Sequence, residues 1–207
     1  MILKLSDLDL EKVYSYADYY SWKFVERVEL IEGIIFPMDI ESNRLHQEIS
    51  GILHLKLGNY LQQTKYHIYA APFDVRFPNN SKKDSDIYTV LQPDLCVICD
   101  LSKLDDRGCN GAPDLVVEIL SPSNSKKELK NKYEVYEEAG VKEYWVVFPV
   151  EKTMIIYTLI NEKYQPSRLF ACGDIVTSSV LPGLSIDLEE LFSDFLHEDE
   201  LPPYGLQ

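Results

Sequence analysis

Apolar residues recur every three or four positions along residues 42–63, and this spacing predicts one long amphipathic helix. The apolar stripe consists of Leu45, Ile49, Ile52, Leu53, Leu57, Tyr60 and Leu61. A second helix is predicted over residues 125–139, because a capping box opens it and Gly140 follows it. Shorter helices are predicted over residues 6–20 and 188–195.

Short apolar runs between these helices predict strands. The predicted strands cover residues 29–38, 67–77, 90–100, 115–120 and 143–148. The run at 115–120 is almost wholly apolar, as expected for a strand that is buried on both faces. A meander is predicted over residues 152–176. From residue 42 the order is helix, three strands, helix, strand and hairpin, which predicts an α/β or α+β fold with a mixed sheet.

The chain length favours a single domain, since 207 residues is about one domain. We expect a core over residues 42–150, an N-terminal extension over 1–41, and a C-terminal hairpin with an acidic tail over 151–207. No apolar run approaches the ~18 residues that cross a bilayer, and charges interrupt the first residues. We therefore expect a cytoplasmic protein without a membrane partner, whose four cysteines are free thiols.

The net charge of the chain disfavours non-specific binding of nucleic acid. Lys and Arg number 20 against 34 Asp and Glu, so the net charge is 20 − 34 = −14. Half of this charge lies in residues 185–201, which hold seven acids and no Lys or Arg. A strongly acidic surface repels phosphate backbones. Residues 121–133 are the exception, because they contain four lysines against one acid.

Two acids interrupt predicted strands. Asp94 follows Pro93 near the start of one strand, and Glu118 lies within the apolar run Val-Val-Glu-Ile-Leu of another. An unpartnered buried carboxylate is unfavourable by several kcal/mol, so each acid needs a cation or hydrogen bonds. If the strands are neighbours, both carboxylates can bind one Mg²⁺. The alternative is that each acid faces solvent or pairs with Lys or Arg.

Lys132 is the lysine best placed to join these acids. On a helical projection it lies roughly 65–70° from the centre of the apolar stripe formed by Leu129, Tyr133 and Tyr136. Its stem can therefore lie against the sheet while its ammonium reaches the carboxylates. Lys126 is the nearest rival, and a lysine at the protein surface is the structural alternative.

At this point the residues resemble the Uma2 family (also called DUF820), which consists of restriction-endonuclease-like proteins of the PD-(D/E)XK nuclease superfamily. The resemblance spans roughly residues 6–195. It is carried by APDLVVEILSPS (112–123), QPDL (92–95), LIEG (30–33), NRLH (43–46), LPGL (181–184) and the stretch from Lys132-Tyr133 to Glu143-Tyr144-Trp145.

The resemblance implies a core of order α-β-β-β-α-β. It also implies that Asp94 is the Asp of the PD motif and that Glu118 is the acid of the (D/E)XK motif. Two positions after Glu118 this chain has Leu120 where the superfamily usually has Lys. The family shows the same departure, with its lysine on the following helix, where Lys132 is the matching residue.

The activity implied by the resemblance is metal-dependent endonucleolytic cleavage of DNA. Asp94 and Glu118 would hold Mg²⁺ (or Mn²⁺), and Lys132 would assist the attacking water. A homodimer is one possible assembly. Glu32 and His46 also match family positions, but they fit a turn acid and a helix-capping histidine equally well.

Two other functions are compatible with the sequence. The acidic surface suits a nuclease-fold protein with little or no activity that acts as a protein-binding module, and hydrolysis of a small phosphoester is a third reading. A positive rim around Asp94, formed by Lys126, Lys127 and Lys130, would favour the nuclease.

Overall fold

The computed structural model describes residues 4–38, 44–121 and 126–193, without the side chains of 126–128 and 193. Its α-helices are α1 (Tyr16–Ser21), α2 (Arg44–Leu61), α3 (Lys126–Ala139) and α4 (Leu188–Ser193). Its strands are β1 (Val28–Ile31), β2 (Ile34–Pro37), β3 (His67–Ala70), β4 (Val75–Arg76), β5 (Val90–Leu91), β6 (Leu95–Ile98), β7 (Leu104–Asp105), β8 (Gly108–Asn110), β9 (Leu115–Ile119), β10 (Glu143–Phe148), β11 (Thr153–Ile160), β12 (Lys163–Pro166), β13 (Phe170–Ala171), β14 (Ile175–Thr177) and β15 (Ser185–Asp187).

The main sheet has the order β12-β11-β10-β9-β6-β3, with β13 pairing to β11. Its strands pair antiparallel except β9 and β10, which are parallel and are connected through α3. Along the chain, α2, β3, β6, β9, α3 and β10 follow one another in the order α-β-β-β-α-β, with strands of a second sheet inserted between them. The predicted α+β class with a mixed sheet is confirmed.

The two faces of this sheet are covered by different helices. Leu53 and Leu57 of α2 pack in one hydrophobic cluster with the odd-numbered residues of β9, namely Leu115, Val117 and Ile119. Val116 packs instead with Tyr136 of α3 on the opposite face. Because side chains alternate along a strand, Glu118 points toward α3 as Val116 does.

The second sheet has the order β2-β1-β5-β4-β8-β7 and carries the N-terminal part of the chain. Here the predicted single strand over residues 29–38 is wrong, because β1 and β2 form an antiparallel hairpin. Its two-residue turn consists of Glu32 and Gly33, whose φ angles are 52° and 79°. Positive φ at both central residues is typical of a tight hairpin turn, and glycine adopts it without strain.

The predicted helix over residues 6–20 is also wrong over most of its length. Helix α1 begins only after Ser15, whose side chain forms a capping box with Asp18. The backbone amide of Tyr14, before the helix, donates to the carbonyl of Gly33, and that of Tyr16, the first helical residue, donates to the carbonyl of Ile87. Those bonds compete with helix formation upstream of the cap.

The predicted strands over residues 67–77 and 90–100 are each divided in two. The first is interrupted at the cis Ala71–Pro72 bond, and the second at Pro93. Proline has no amide hydrogen to donate to a ladder. The predicted cap at Ser125 and the acidic tail beyond residue 193 lie outside the described residues. No helix in the described part is long and apolar enough to cross a membrane.

Candidate active site

Asp94 and Glu118 lie on neighbouring segments of the main sheet. The β6–β9 register pairs Leu95 with Val117, and one further step places Asp94 opposite Glu118. Opposite residues of an antiparallel pair present their side chains on the same face. The backbone amide of Ile119 donates to Asp94 Oδ2 at 2.7 Å, which fixes the Asp94 carboxylate beside β9.

Lys132 reaches Glu118 from helix α3. Its Nζ donates to both carboxylate oxygens of Glu118, at 3.1 Å each, and lies 3.2 Å from Glu29 Oε1. Only 4% of Lys132 and 6% of Glu118 is exposed, so this is a buried ion pair. The side chain of the rival, Lys126, lies outside the described part.

Glu29 is a site residue that sequence reasoning missed. It lies in β1 between the buried residues Val28 and Leu30 and is itself 2% exposed. Its Oε1 accepts a hydrogen bond from the backbone amide of Gln92 at 2.8 Å and contacts Lys132. The pattern that singled out Glu118, an acid flanked by apolar residues in a strand, applies equally to Glu29 and could have found it.

Tyr136 was predicted only as part of the apolar stripe of α3. Its ring is buried, but its hydroxyl donates to Glu118 Oε1 at 2.6 Å. Tyr136 is four residues after Lys132, so both side chains emerge on the same face of the helix. Together they hold the Glu118 carboxylate in one orientation.

Of the two weaker candidates, the structure brings only His46 into the cluster. His46 Nε2, from α2, lies 3.1 Å from Asp94 Oδ1. Burial lowers the pKa of His46, but the hydrogen bond and the charge of Asp94 outweigh this and raise the pKa above its usual value. Glu32 is exposed in the β1–β2 turn, where its backbone amide donates to Thr89 Oγ1.

The cluster contains more negative than positive charge. Three carboxylates, those of Glu29, Asp94 and Glu118, surround the one ammonium of Lys132, so with His46 neutral the ionised cluster carries −3 + 1 = −2. Burial raises the pKa of Glu118 to about 8; Lys132 opposes the rise, while Asp94 and Glu29 add to it. Burial lowers the pKa of Lys132, but the three carboxylates outweigh burial and hold it above its usual value.

The carboxylates of this cluster are the type of ligand that Mg²⁺ prefers in proteins. Within the described residues no group of three or more His, Cys, Asp or Glu side chains is arranged to hold a metal. Mg²⁺, however, is commonly held by one or two carboxylates plus water and substrate phosphate. Each carboxylate oxygen has two lone pairs, so the hydrogen bonds to Asp94 and Glu118 leave acceptor capacity for an ion. A dication would neutralise the surplus charge of the cluster.

The predicted positive rim is described only in part. Lys130 is exposed and its Nζ lies 3.6 Å from Glu134 Oε1, so its charge is partly compensated. The side chains of Lys126 and Lys127 lie outside the described residues.

Five chains of solved structures match, among them one from Anabaena variabilis ATCC 29413 that is described as a "putative nuclease belonging to DUF820". That structure is 20% identical, covers 87% of this chain and 98% of its own, and superposes with a TM-score of 0.65. At this identity the likeness shows the fold alone, which is a mixed α+β fold. No curated protein matches.

The family model named Uma2 and described as "Putative restriction endonuclease" matches residues 16–189. The chain belongs to the Uma2 family, and the resemblance predicted from its motifs is confirmed.

Proposed function

We propose that this protein is a Mg²⁺- or Mn²⁺-dependent endonuclease that hydrolyses DNA phosphodiester bonds. The family and the fold support a nuclease function. The observation that carries the finer proposal is the buried cluster in which Lys132 bonds Glu118 beside Asp94 and Glu29.

In this proposal Asp94 and Glu118 hold the metal ion. When bound, the ion polarises a phosphoryl oxygen and lowers the pKa of a water molecule. Asp94 is oriented by the Ile119 amide and by His46, while Glu118 is oriented by Tyr136 and Lys132. Carboxylates fixed in this way need little rearrangement to bind a cation.

Lys132 acts through its charge. Because the surrounding carboxylates hold its pKa above the usual value, Lys132 stays protonated at neutral pH and does not accept a proton from water. Its ammonium instead orients the attacking water and stabilises the negative charge that develops on the phosphoryl group.

The rival proposal is a nuclease-fold protein that binds a protein partner. The observation in its favour is the net charge of −14, which disfavours non-specific DNA binding. The intact pairing of Lys132 with Glu118 favours the enzyme, because a buried ion pair without a function is readily replaced by apolar residues at no loss of stability.

A cleavage assay separates the two. Supercoiled plasmid and single-stranded DNA are incubated with wild type, Glu118→Ala and Glu138→Ala in Mg²⁺, in Mn²⁺ and in EDTA. Glu138 is an exposed acid of α3, so it serves as the matched control. We expect metal-dependent cleavage by wild type and Glu138→Ala, and a rate at least about 10²-fold lower in Glu118→Ala. An inactive wild type, or full activity in Glu118→Ala, would contradict the proposal.

A further inference from the structure

Arg27, immediately before β1, is held by a neutral group. Its Nε and Nη2 both donate to Oε1 of Gln92, at 2.9 and 2.7 Å. No carboxylate of the described residues pairs with it. Arg76 and Arg107, in contrast, both contact Asp84. Arg27 therefore carries an uncompensated charge in a fixed orientation.

The orientation of the Gln92 amide is set from its other side. Its Nε2 donates to the Tyr19 hydroxyl and to Asp74 Oδ1, both at 2.9 Å, so its oxygen must face Arg27. Both the oxygen and the nitrogen of the Gln92 side-chain amide are therefore hydrogen-bonded. Because this amide is neutral, it orients the Arg27 guanidinium without compensating its positive charge.

Gln92 also connects Arg27 to the acid cluster. Its backbone amide donates to Glu29, and it lies two residues before Asp94 in the chain. Arg27 lies two residues before Glu29. Arg27 is therefore close to the end of the cluster where Asp94 lies.

Arg27 lines a cleft of about 390 Å³ whose charged residues are Lys23, Glu26 and Arg27. A second cleft, of about 520 Å³, lies between the β1–β2 hairpin and α3. Its charged lining residues are all acidic, namely Glu32, Glu134 and Glu138. A phosphate backbone is repelled by the second cleft and attracted by the first.

We propose that Arg27 binds a backbone phosphate of the nucleic-acid strand, beside the phosphodiester held at Asp94 and Glu118. This inference rests on the proposed nuclease function. A guanidinium offers five N–H donors in a fixed fork, and Gln92 engages only two of its nitrogens, so Nη1 is left to meet a phosphate oxygen. On a protein with a net charge of −14, such a local cation is what admits a polyanion to the site.

Binding can be separated from cleavage by working in EDTA. Fluorescence anisotropy with a labelled oligonucleotide is measured over a series of salt concentrations for wild type, Arg27→Gln, Arg27→Lys and Lys65→Gln. Lys65 is an exposed lysine beyond the end of α2, whereas His46 lies in its first turn. The helix has 18 residues and is ~27 Å long, so Lys65→Gln removes one charge far from the site.

We expect Arg27→Gln to bind about tenfold more weakly than wild type at low salt. The slope of log K against log salt should fall by about 0.7–0.9, which corresponds to one lost phosphate contact. Arg27→Lys should keep the salt slope and recover part of the affinity, and Lys65→Gln should bind as wild type does. Circular dichroism checks that each variant is folded.

If Arg27→Gln behaves like Lys65→Gln, or if wild type binds no oligonucleotide at low salt, the assignment of Arg27 is wrong even where DNA is cleaved. Arg27-dependent binding by a wild type that never cleaves DNA would support the assignment and count against the nuclease proposal alone.

Discussion

Two buried glutamates on adjacent strands show what separates a candidate catalytic acid from a structural one. Glu118 of β9 is 6% exposed and Glu143 of the neighbouring strand β10 is 1% exposed. Glu118 is bonded by the cation Lys132 and by Tyr136. Glu143 accepts hydrogen bonds only from neutral groups, at 2.5–3.0 Å, among the described residues. These donors are Trp145 Nε1, Ser178 Oγ, Ser179 N and Ser179 Oγ.

The difference lies in the partners and not in residue type or burial. The donors around Glu143 hold the 178–179 segment against β10, so that this carboxylate has a complete structural role. Glu118 shares its surroundings with Asp94 and Glu29, whose charges oppose its ionisation. Only the surroundings of Glu118, where three carboxylates lie together, would gain from an added cation.

The largest expected effect is on turnover in Lys132→Met, which keeps most of the length of the side chain and removes its charge. Losing one charged donor at the phosphoryl group should lower kcat about 10²–10³-fold. Because Glu118 and Glu29 lose their cation, stability should also fall by ~3–5 kcal/mol, so kcat is measured per folded molecule.

The control for this variant is Lys142→Met. Lys142 is also paired with a buried carboxylate, since its Nζ lies 2.6 Å from Asp114 Oδ1, but its side chain is 64% exposed. Turnover should be unchanged there. Equal losses of kcat in the two variants would mean that Lys132 has only a structural role.

Glu143→Gln should reverse the pattern. Both oxygens of Glu143 accept hydrogen bonds, and Gln replaces one of them with an NH₂ group that faces other donors. The free energy of unfolding should therefore fall by about 2–3 kcal/mol. Turnover of the folded fraction should stay within about twofold of wild type. Urea denaturation and a plasmid assay on the same sample check both. Loss of turnover in a folded Glu143→Gln would break the comparison between the two acids.

Mg²⁺ should stabilise the fold through Glu118 and not through Glu143. At a concentration of about 100 times Kd, an ion that binds only the native state adds ~2.7 kcal/mol. Thermal unfolding should show a rise in Tm for wild type and for Glu143→Gln, and none for Glu118→Gln. A similar rise in all three would place the ion elsewhere.

Per pH unit, the smallest expected effect is the pH dependence of the free energy of unfolding in the absence of metal. Burial raises the pKa of Glu118 from 4.5 to about 8 in the folded state. Between these values the native protein keeps a proton that the unfolded chain has released, so the free energy of unfolding falls as pH rises. The slope is at most ~1.4 kcal/mol per pH unit, and stability profiles should show it reduced in Glu118→Gln.

Local pattern predicted those parts of the molecule that depend on local chemistry. The amphipathic spacing of residues 42–63 predicted both ends of α2 to within two residues of where the structure describes them. Gly140 correctly marked the end of α3. The acids Asp94 and Glu118 stood out because they interrupt apolar runs. Lys132 stood out by its angle on the helix, and the structure places it within hydrogen-bonding distance of Glu118.

The rest depends on long-range pairing, which no local pattern shows. Glu29 reaches the cluster because β1 pairs with β5, some sixty residues later in the chain. The fork between Arg27 and Gln92 joins the same two segments. Tyr136 was hidden for a different reason, because the apolar period of a helix reports its ring and not the partner of its hydroxyl.

The central claim is that Asp94 and Glu118 together hold a divalent ion, and a crystal structure with Mn²⁺ tests it most directly. The account predicts an anomalous peak between the two carboxylates, with one oxygen of each within about 2.0–2.2 Å of the ion, and Lys132 still beside Glu118. A crystal soaked in Mn²⁺ with no peak there, or with Lys132 alone occupying the space between the acids, would contradict it.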